Sequence, residues 1–389
     1  MTIADTALVC RELRLRQYRN FVSIDLAFPD AGTAIVGDNG SGKTNLLEAL
    51  YYLEIFRSFR GAPDEQLVRF GAEAFHVRGV FASAATGEER EVTAAFEPRT
   101  KRKRVTVDGI EQDRLGDAIG VVGAVVFSPS DLSIVAGAPA ERRRFLDIVL
   151  SLGAPGYLAA LQRYRQVLKQ RNALLRDAAS PASLAPWDVA LAESGGRVVA
   201  ARAAWVEASS ESFARTCDAI SGGTAASLRY RPALAEDALL SDGEQAAAAI
   251  AAAVERLAVR ERERGMTLAG PHRDDLAVLA CGPDGEIDLR EYGSGGQMRT
   301  AAVALRMVEA ETVRRARGRP PLILLDDVFA ELDPGRSRRI LELLDREERG
   351  QVILTAPKES DVELRRTELA GSFASSLASW RIAGGKVTT

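Results

Sequence analysis

The period of the hydrophobic pattern changes several times along this chain. Residues 13–29, LRLRQYRNFVSIDLAFP, alternate apolar and polar positions, which predicts strands with one buried face. TAIVGDNGSGKTNLLEALYYLEIF (33–56) then reads as a short apolar strand, a glycine loop and an apolar helix. FHVRGVFAS, EVTAAFEPRT and KRVTVDG have strand character with turn residues between them, as in an antiparallel meander. AIGVVGAVVFSPSDL (118–132) predicts a buried strand that ends in a turn.

From about 139 to 215 the period is helical. In YLAALQRYRQVLKQRNALLR, Tyr157, Leu161, Tyr164, Leu168 and Leu175 fall on one side at helical spacing. DAASPASLAPWD, with Pro181 and Pro186, predicts a loop. Ser241 and Glu244 have capping-box spacing at the start of an alanine-rich helix. Strands are expected again at MTLAGPH, DLAVLAC and EIDLREY. A helix follows residue 294, then strand PPLILLDDVF, a helix, strand QVILTAP and a last short strand around SWRIAG. The expectation is an α/β body, residues 1–131 and 267–389, split by a mostly helical lobe, residues 132–266, of ordinary domain size. The lobe has no sustained heptads, so it is not a long coiled coil, and no solenoid repeat is present.

The 389 residues exceed one ordinary core, and a composition of 46% hydrophobic and 27% charged residues is that of a globular protein. No apolar run approaches the about 18 residues that a membrane helix needs, and MTIADTALVCREL lacks the pattern of a signal peptide. The expected location is the cytoplasm, with no membrane. Cys10, Cys217 and Cys281 are far apart and suit buried, inert thiols, while His76 and His272 make no zinc site by themselves. Net charge is −3, without the basic excess common in nucleic-acid binders, so any DNA surface must come from local clustering.

GDNGSGKT fits the P-loop pattern between a strand and a helix. Gly37, Asp38, Asn39, Gly40, Ser41, Gly42 and Asn45 shape and flank a cradle of backbone N–H groups for phosphate oxygens. Lys43 supplies a charge for the β- and γ-phosphates of ATP, and the Thr44 hydroxyl suits Mg²⁺. PLILLDDVFAELD is an apolar strand that ends in two aspartates. Asp326 suits Mg²⁺, and Asp327 the polarising of an attacking water. Ser294, Gly295, Gly296 and Gln297, in EYGSGGQMRT, open a helix and form a second phosphate-binding device. One nucleotide does not need two such devices from one subunit.

GSGGQ, GDNGSGKT and LILLDDVFAELD together resemble the ATP-binding-cassette ATPases. The resemblance narrows to the RecF family of bacterial replication and repair proteins, related to the heads of SMC proteins. It rests on LRLRQYRNF, RSFRGAPDEQLVRFG, FSPSDLSIVAGAPAERRRFLD, LKQRNALLR, AGPHRDDL and YGSGGQMRT, in that order. It implies an α/β fold, an ABC-type ATPase head of mixed sheets with a P-loop, interrupted by the helical lobe. It implies an ATP-dependent homodimer in which Ser294 to Gln297, and Asp333, face ATP held by the second copy. Implied partners are double-stranded and gapped DNA, with RecR, RecO and RecA. Asp327 stands where broader cassettes carry Glu, and Thr355 or a neighbour where many carry a switch histidine. Both departures suggest slow hydrolysis, with ATP as a timer.

Lys101, Arg102, Lys103 and Arg104 lie near a hairpin and suit sequence-independent contact with a duplex. A solvated hairpin tip that resists edge pairing explains them equally well. Arg142 to Arg144 and Arg163, Arg165, Lys169, Arg171 and Arg176 suit phosphates, ion pairs or solvent, solvent being the default for any one of them. Arg57 and Arg60 suit nucleotide, DNA or plain surface. His272 suits the nucleotide interface or a hydrogen-bonded loop. Three other functions fit less of the pattern. An ATPase subunit of a membrane transporter conflicts with the wide gap between Lys43 and Ser294. A chromosome-structuring SMC protein needs coiled-coil arms. A nucleotide-sensing module without turnover is compatible with Asp327.

Overall fold

A computed structural model describes residues 8–83, 86–223, 225–234, 240, 242–282, 285–329, 332–346, 350–368 and 376–388. The chain divides into two compact units, one from 1–131 with 309–389, the other from 132–308. In chain order the first unit begins β1 (Leu8–Tyr18), β2 (Phe21–Ala27), β3 (Thr33–Val36), α1 (Lys43–Ile55), β4 (Phe75–Ser83), β5 (Glu89–Glu97), β6 (Arg102–Val107), β7 (Ile110–Glu111), α2 (Leu115–Ala118) and β8 (Ala124–Phe127). The second unit holds α3 (Leu132–Ala136), α4 (Pro139–Gly153), α5 (Tyr157–Arg176), α6 (Pro181–Ser221), β9 (Ala226–Arg231), α7 (Gly243–Arg264), β10 (Asp275–Gly282), β11 (Gly285–Asp288), α8 (Leu289–Tyr292) and most of α9 (Gly295–Arg317). The first unit resumes with β12 (Leu322–Asp326), α10 (Pro334–Arg346), β13 (Val352–Ala356), α11 (Glu359–Glu368), β14 (Ala378–Ala383) and β15 (Lys386–Thr388).

Two sheets build the first unit. One is antiparallel, in the order β2-β1-β4-β5-β6-β7, and its strands alternate: Leu13 and Leu15 are buried, with exposed Arg14 between them and half-buried Glu12 and Arg16 on either side. The other runs β15-β14-β3-β13-β12-β8 and is parallel except at β15. Its inner strands TAIV, LILLD and VILTA, and the edge strand AVVF, are buried at every position, as strands covered on both faces must be. Helix α1 touches strands of both sheets and is apolar nearly all round, so it has no solvent face. Its Tyr52 ring packs edge-on with Tyr18 and Phe75, and Phe75 lies tilted against Phe96.

The second unit packs α5, α6 and α7 side by side, with the antiparallel sheet β11-β10-β9 against α6 and α4. Gly196 of α6 makes one close approach possible: a Cβ there would stand 2.5 Å from the Gly243 carbonyl oxygen and 2.7 Å from the Ala247 nitrogen of α7.

Three expectations from pattern alone are corrected. The stretch around Pro181 and Pro186 is helix, not loop. Ser180 caps α6 by accepting from the Ser183 N–H at 3.3 Å, and Pro181 sits in the first turn, where no N–H donor is needed. Pro186 lies further inside, and α6 carries on through it. MTLAGPH is a partly buried loop instead of a strand, with Met266 exposed. Two of its backbone N–H groups are taken by side chains: Thr267 N–H donates to Asn172 at 2.8 Å and Leu268 N–H to Glu261 at 2.6 Å. In EIDLREY the strand ends at Asp288, which caps the single turn α8. The proposed capping residue Ser241 lies outside the described residues. Asp242 caps α7, accepting from the N–H groups of Glu244 and Gln245 at 2.7 and 3.1 Å.

Candidate functional site

β3 runs straight into the loop Gly37–Gly42, and α1 starts at Lys43. Two glycines are required by geometry. A Cβ on Gly37 would meet the Ile382 carbonyl oxygen at 2.4 Å, and Gly42 has φ 113 with the Asn20 amide 2.5 Å from its would-be Cβ. Asn20 pins the loop: its amide donates to the Ser41 carbonyl at 3.0 Å, and its oxygen accepts from Asn45 at 2.8 Å. Sequence reasoning named Asn45 and missed Asn20, which sits in the β1–β2 turn and meets the loop only through the fold. Arg60 reaches the same asparagine, donating to Asn45 Oδ1 at 3.3 Å.

Lys43 is buried, and its ammonium donates to the carbonyls of Gly37 at 2.7 Å and Asp38 at 3.2 Å. The next residue faces the strand-end carboxylates. Thr44 Oγ1 donates to Asp326 Oδ1 at 2.9 Å, and Thr355 Oγ1 donates to the same oxygen at 3.0 Å. The parallel register that sets Thr355 beside Asp326 between β13 and β12 makes this possible. Burial pushes the Asp326 carboxyl up to about 6, the two hydroxyls oppose that, and the charge of Asp327 adds to it.

Asp327 takes the left-handed conformation at φ 48, which aspartate tolerates better than most residues. Its N–H donates to Thr355 Oγ1 at 3.0 Å, so Thr355 holds both aspartates. Burial raises the Asp327 carboxyl, and Lys43 opposes the rise. Asp327 Oδ1 and Ser41 Oγ are buried and have no hydrogen-bond partner among the described residues. Two orphaned oxygens beside a phosphate-type loop mark a place for a ligand.

The structure thus gathers Lys43, Thr44, Asp326, Asp327 and Thr355 in the first unit. Ser294, Gly295, Gly296 and Gln297 belong to the second. There Ser294 N–H donates to Gln297 Oε1 at 2.9 Å and Gln297 N–H to Ser294 Oγ at 3.2 Å, a reciprocal capping box. Ser294 and Gly295 are exposed. Asp333 opens α10: it is exposed, accepts from the Arg336 N–H at 3.0 Å, and its carboxyl is lowered by that bond.

The four hairpin cations separate. Lys101 is exposed at the turn. Arg102 and Arg104 share one face of β6, with side chains 70% and 59% exposed, and both reach Glu111. Lys103 points to the other face. It pairs with Asp64 at 2.6 Å, donates to the Phe56 carbonyl at 2.7 Å and lies over the Tyr52 ring. Strand alternation is the signal that would have set Lys103 apart. Arg142 and Arg171 are buried ion-pair partners, of Asp275 and of Asp188 and Glu261, so the solvent default fails for both. His272 is a hydrogen-bonded loop histidine, 2.5 Å from Tyr164 Oη and 3.1 Å from the Thr267 carbonyl, and burial lowers its pKa to about 4.

A P-loop on parallel strand β3, with its threonine bonded to the aspartate that ends β12 across the intervening strand β13, defines the class: an SMC-like, ABC-type ATPase head. The RecF/RecN/SMC N terminal domain family matches residues 9–375. DNA replication and repair protein RecF of Synechococcus sp. (strain JA-3-3Ab) is 40% identical, over 89% of this chain and 90% of that protein. The RecF of Moorella thermoacetica is 38% identical, over 87% of each. The chain belongs to the RecF family. A solved structure of the recombination mediator protein RecF with ATP in the RecFOR pathway superposes with a TM-score of 0.86 at 30% identity, covering 98% of this chain and 99% of that one. The Smc head domain of Pyrococcus furiosus, at 17% identity and a TM-score of 0.56, shares the fold over 98% of this chain and 96% of that one. The mixed α/β head expected from the motifs is therefore the fold found. Among the described residues no helix is long and apolar enough to cross a membrane.

Proposed function

We propose that this chain is an ATP-dependent DNA-binding protein of recombinational repair and replication-fork maintenance. Two copies close on duplex DNA near single-strand gaps when ATP is bound, and slow hydrolysis releases them. Working with RecO and RecR in the cytoplasm, the dimer helps load RecA. The observation that carries this reading is the Thr44–Asp326–Thr355 cluster beside Lys43 and the P-loop, in a chain whose relatives are RecF proteins.

In the ATP complex the loop N–H groups and Lys43 hold the β- and γ-phosphates, the ammonium exchanging carbonyl oxygens for phosphate oxygens. Thr44 Oγ1 and Asp326 are hard oxygen donors already in contact, which suits Mg²⁺ held by one hydroxyl, one carboxylate and phosphate. The ion, when bound, neutralises charge on the β- and γ-oxygens. Asp327 orients the attacking water with its unpaired Oδ1 and is itself held by Thr355. An aspartate is one methylene shorter than a glutamate, so turnover is slow. The functional head comprises residues 1–131 and 267–389, with 132–266 as its inserted lobe. Ser294, Gly295, Gly296, Gln297 and Asp333 face the nucleotide of the second copy. The exposed capped turn at Ser294 supports this reading. Lys101, Arg102 and Arg104 contact DNA phosphates, while Lys103 anchors the hairpin.

The deciding experiment is ATP turnover per subunit against protein concentration, with and without linear duplex DNA. Specific activity should rise with concentration and again with DNA. Turnover independent of both would remove the shared-ATP dimer. The identity of Asp327 favours one second reading, a nucleotide-sensing module. It predicts near-zero turnover with ATP-driven dimerisation intact.

A further inference from the structure

The second unit carries a hollow of about 280 Å³ between α4, α5, α6 and the loop at Pro271. Arg143, Arg144, Arg165 and Arg202 line it, with Asp147 as the one carboxylate among the lining residues. That carboxylate is fully engaged: Oδ1 accepts from Arg202 at 2.8 Å and Tyr157 at 2.6 Å, and Oδ2 accepts from Arg165 at 2.8 Å. Arg143 donates to the Asp274 backbone carbonyl at 2.7 Å, and among the described residues no carboxylate oxygen pairs with it within 4.0 Å. Burial lowers the Arg143 pKa and Arg202 lowers it further, while Asp275, Asp274 and Asp147 oppose the shift. The fifth basic side chain in the lining, His272, is held neutral by burial and the nearby arginines, against its hydrogen bond to the Thr267 carbonyl.

Two carboxylates face these guanidinium groups: Asp147 is bonded by Arg202 and Arg165, and Asp274, 3.7 Å from Arg202, is taken by Tyr230 and the Ala233 N–H. The lining, with four arginines and one aspartate, thus keeps an excess of positive charge that a further anion would balance. The shape of the donors narrows that anion. Arginine forks match the paired oxygens of a phosphate. Of the two aromatic rings in the lining, Tyr164 is buried with its hydroxyl against His272, and His272 is fixed by that contact and by the Thr267 carbonyl, so neither is set to stack on a base. We propose that this hollow seats a phosphate group of the duplex DNA backbone. The inference rests on the DNA-binding reading above and adds a second phosphate contact, independent of the hairpin.

The test is fluorescence anisotropy of the full chain with ATP and a labelled duplex across a salt series. Arg165→Gln changes a side chain that is 56% exposed, and Arg143→Gln changes the arginine without a carboxylate partner. Each should lower the log–log salt slope by about 0.9 and weaken binding about 3- to 10-fold at about 0.1 M salt, with ATP affinity unchanged. Arg143→Lys, which keeps the charge and loses the fork, should restore the slope. Wild-type slopes in both glutamine variants would overturn the proposal and leave the DNA reading standing. Absence of duplex binding by the wild type would overturn both. A parallel arm measures thermal unfolding with inorganic phosphate against chloride at matched ionic strength. If phosphate stabilises the wild type alone while the DNA slopes are unchanged, the hollow is a free-phosphate site and the backbone assignment is wrong.

Discussion

Thr355 is the residue on which the two aspartates depend. Its hydroxyl donates to Asp326 and accepts from the Asp327 N–H, so it fixes one carboxylate and the backbone of the other. Thr355→Val should therefore leave ATP binding close to wild type and lower turnover at least tenfold, as a positioning residue would. Equal loss of affinity in equilibrium dialysis would argue against that role. Lys43→Met removes the cation proposed to meet the phosphates and should abolish ATP-driven dimerisation in light scattering. Glu54 carries a different prediction. It is fully buried, accepts from the Gly123 N–H at 2.7 Å, and burial lifts its carboxyl from 4.5 to about 7. Between those two values the folded state holds a proton that the unfolded state has lost, so stability falls as pH rises through this window. The contribution is roughly 3 kcal/mol. Urea unfolding of Glu54→Gln from pH 4.5 to 7 should lack this fall; a curve parallel to wild type would show that Glu54 is not its source.

Helix α6 shows how capping and packing override composition. Proline and small residues at its start resemble a loop, yet Ser180 and Pro181 make a sound N-terminus, and the helix beyond is buried against α5 and α7. Its contact with α7 depends on Gly196. Gly196→Ala places a methyl against the α7 backbone and should cost about 1–3 kcal/mol in chemical denaturation. Fluorescent-nucleotide binding should persist, since the P-loop lies in the other unit. In β6 the alternation of the strand divides three neighbouring cations, Arg102, Lys103 and Arg104, between two faces, with Lys101 in the turn before them. Lys103→Ala should lower thermal stability and leave the salt slope of duplex binding unchanged, whereas neutralising Lys101, Arg102 and Arg104 should reduce that slope.

At the scale of the molecule, the phosphate loop and the capped turn at Ser294 belong to different compact units of one chain. A device at each place and one nucleotide per P-loop suit an assembly in which two copies complete each site. Ser294→Arg should leave ATP affinity of a single copy intact and block ATP-dependent association. Equilibrium dialysis and light scattering together separate these effects. Loss of affinity in the isolated copy would instead assign the turn to its own P-loop.

The P-loop, the aspartate-ended strand, the buried parallel strands and the long helices were legible in the sequence because each is a local pattern. A glycine spacing, an apolar run and a helical period need no distant partner to be seen. Other features needed tertiary structure. The Asn20 clamp joins a hairpin turn to the loop, and Thr355 meets Asp326 only through strand register. Lys103 and Arg171 look like surface charge until their carboxylates, Asp64 and Glu261, arrive from elsewhere in the chain. MTLAGPH has the composition of a strand, but side chains from other segments take two of its backbone donors and no ladder forms. The sequence determined which chemistry the chain carries. The tertiary structure decided which groups are held, which are neutralised and which are left to meet a ligand, because pairing and burial are properties of neighbours that the chain order does not contain.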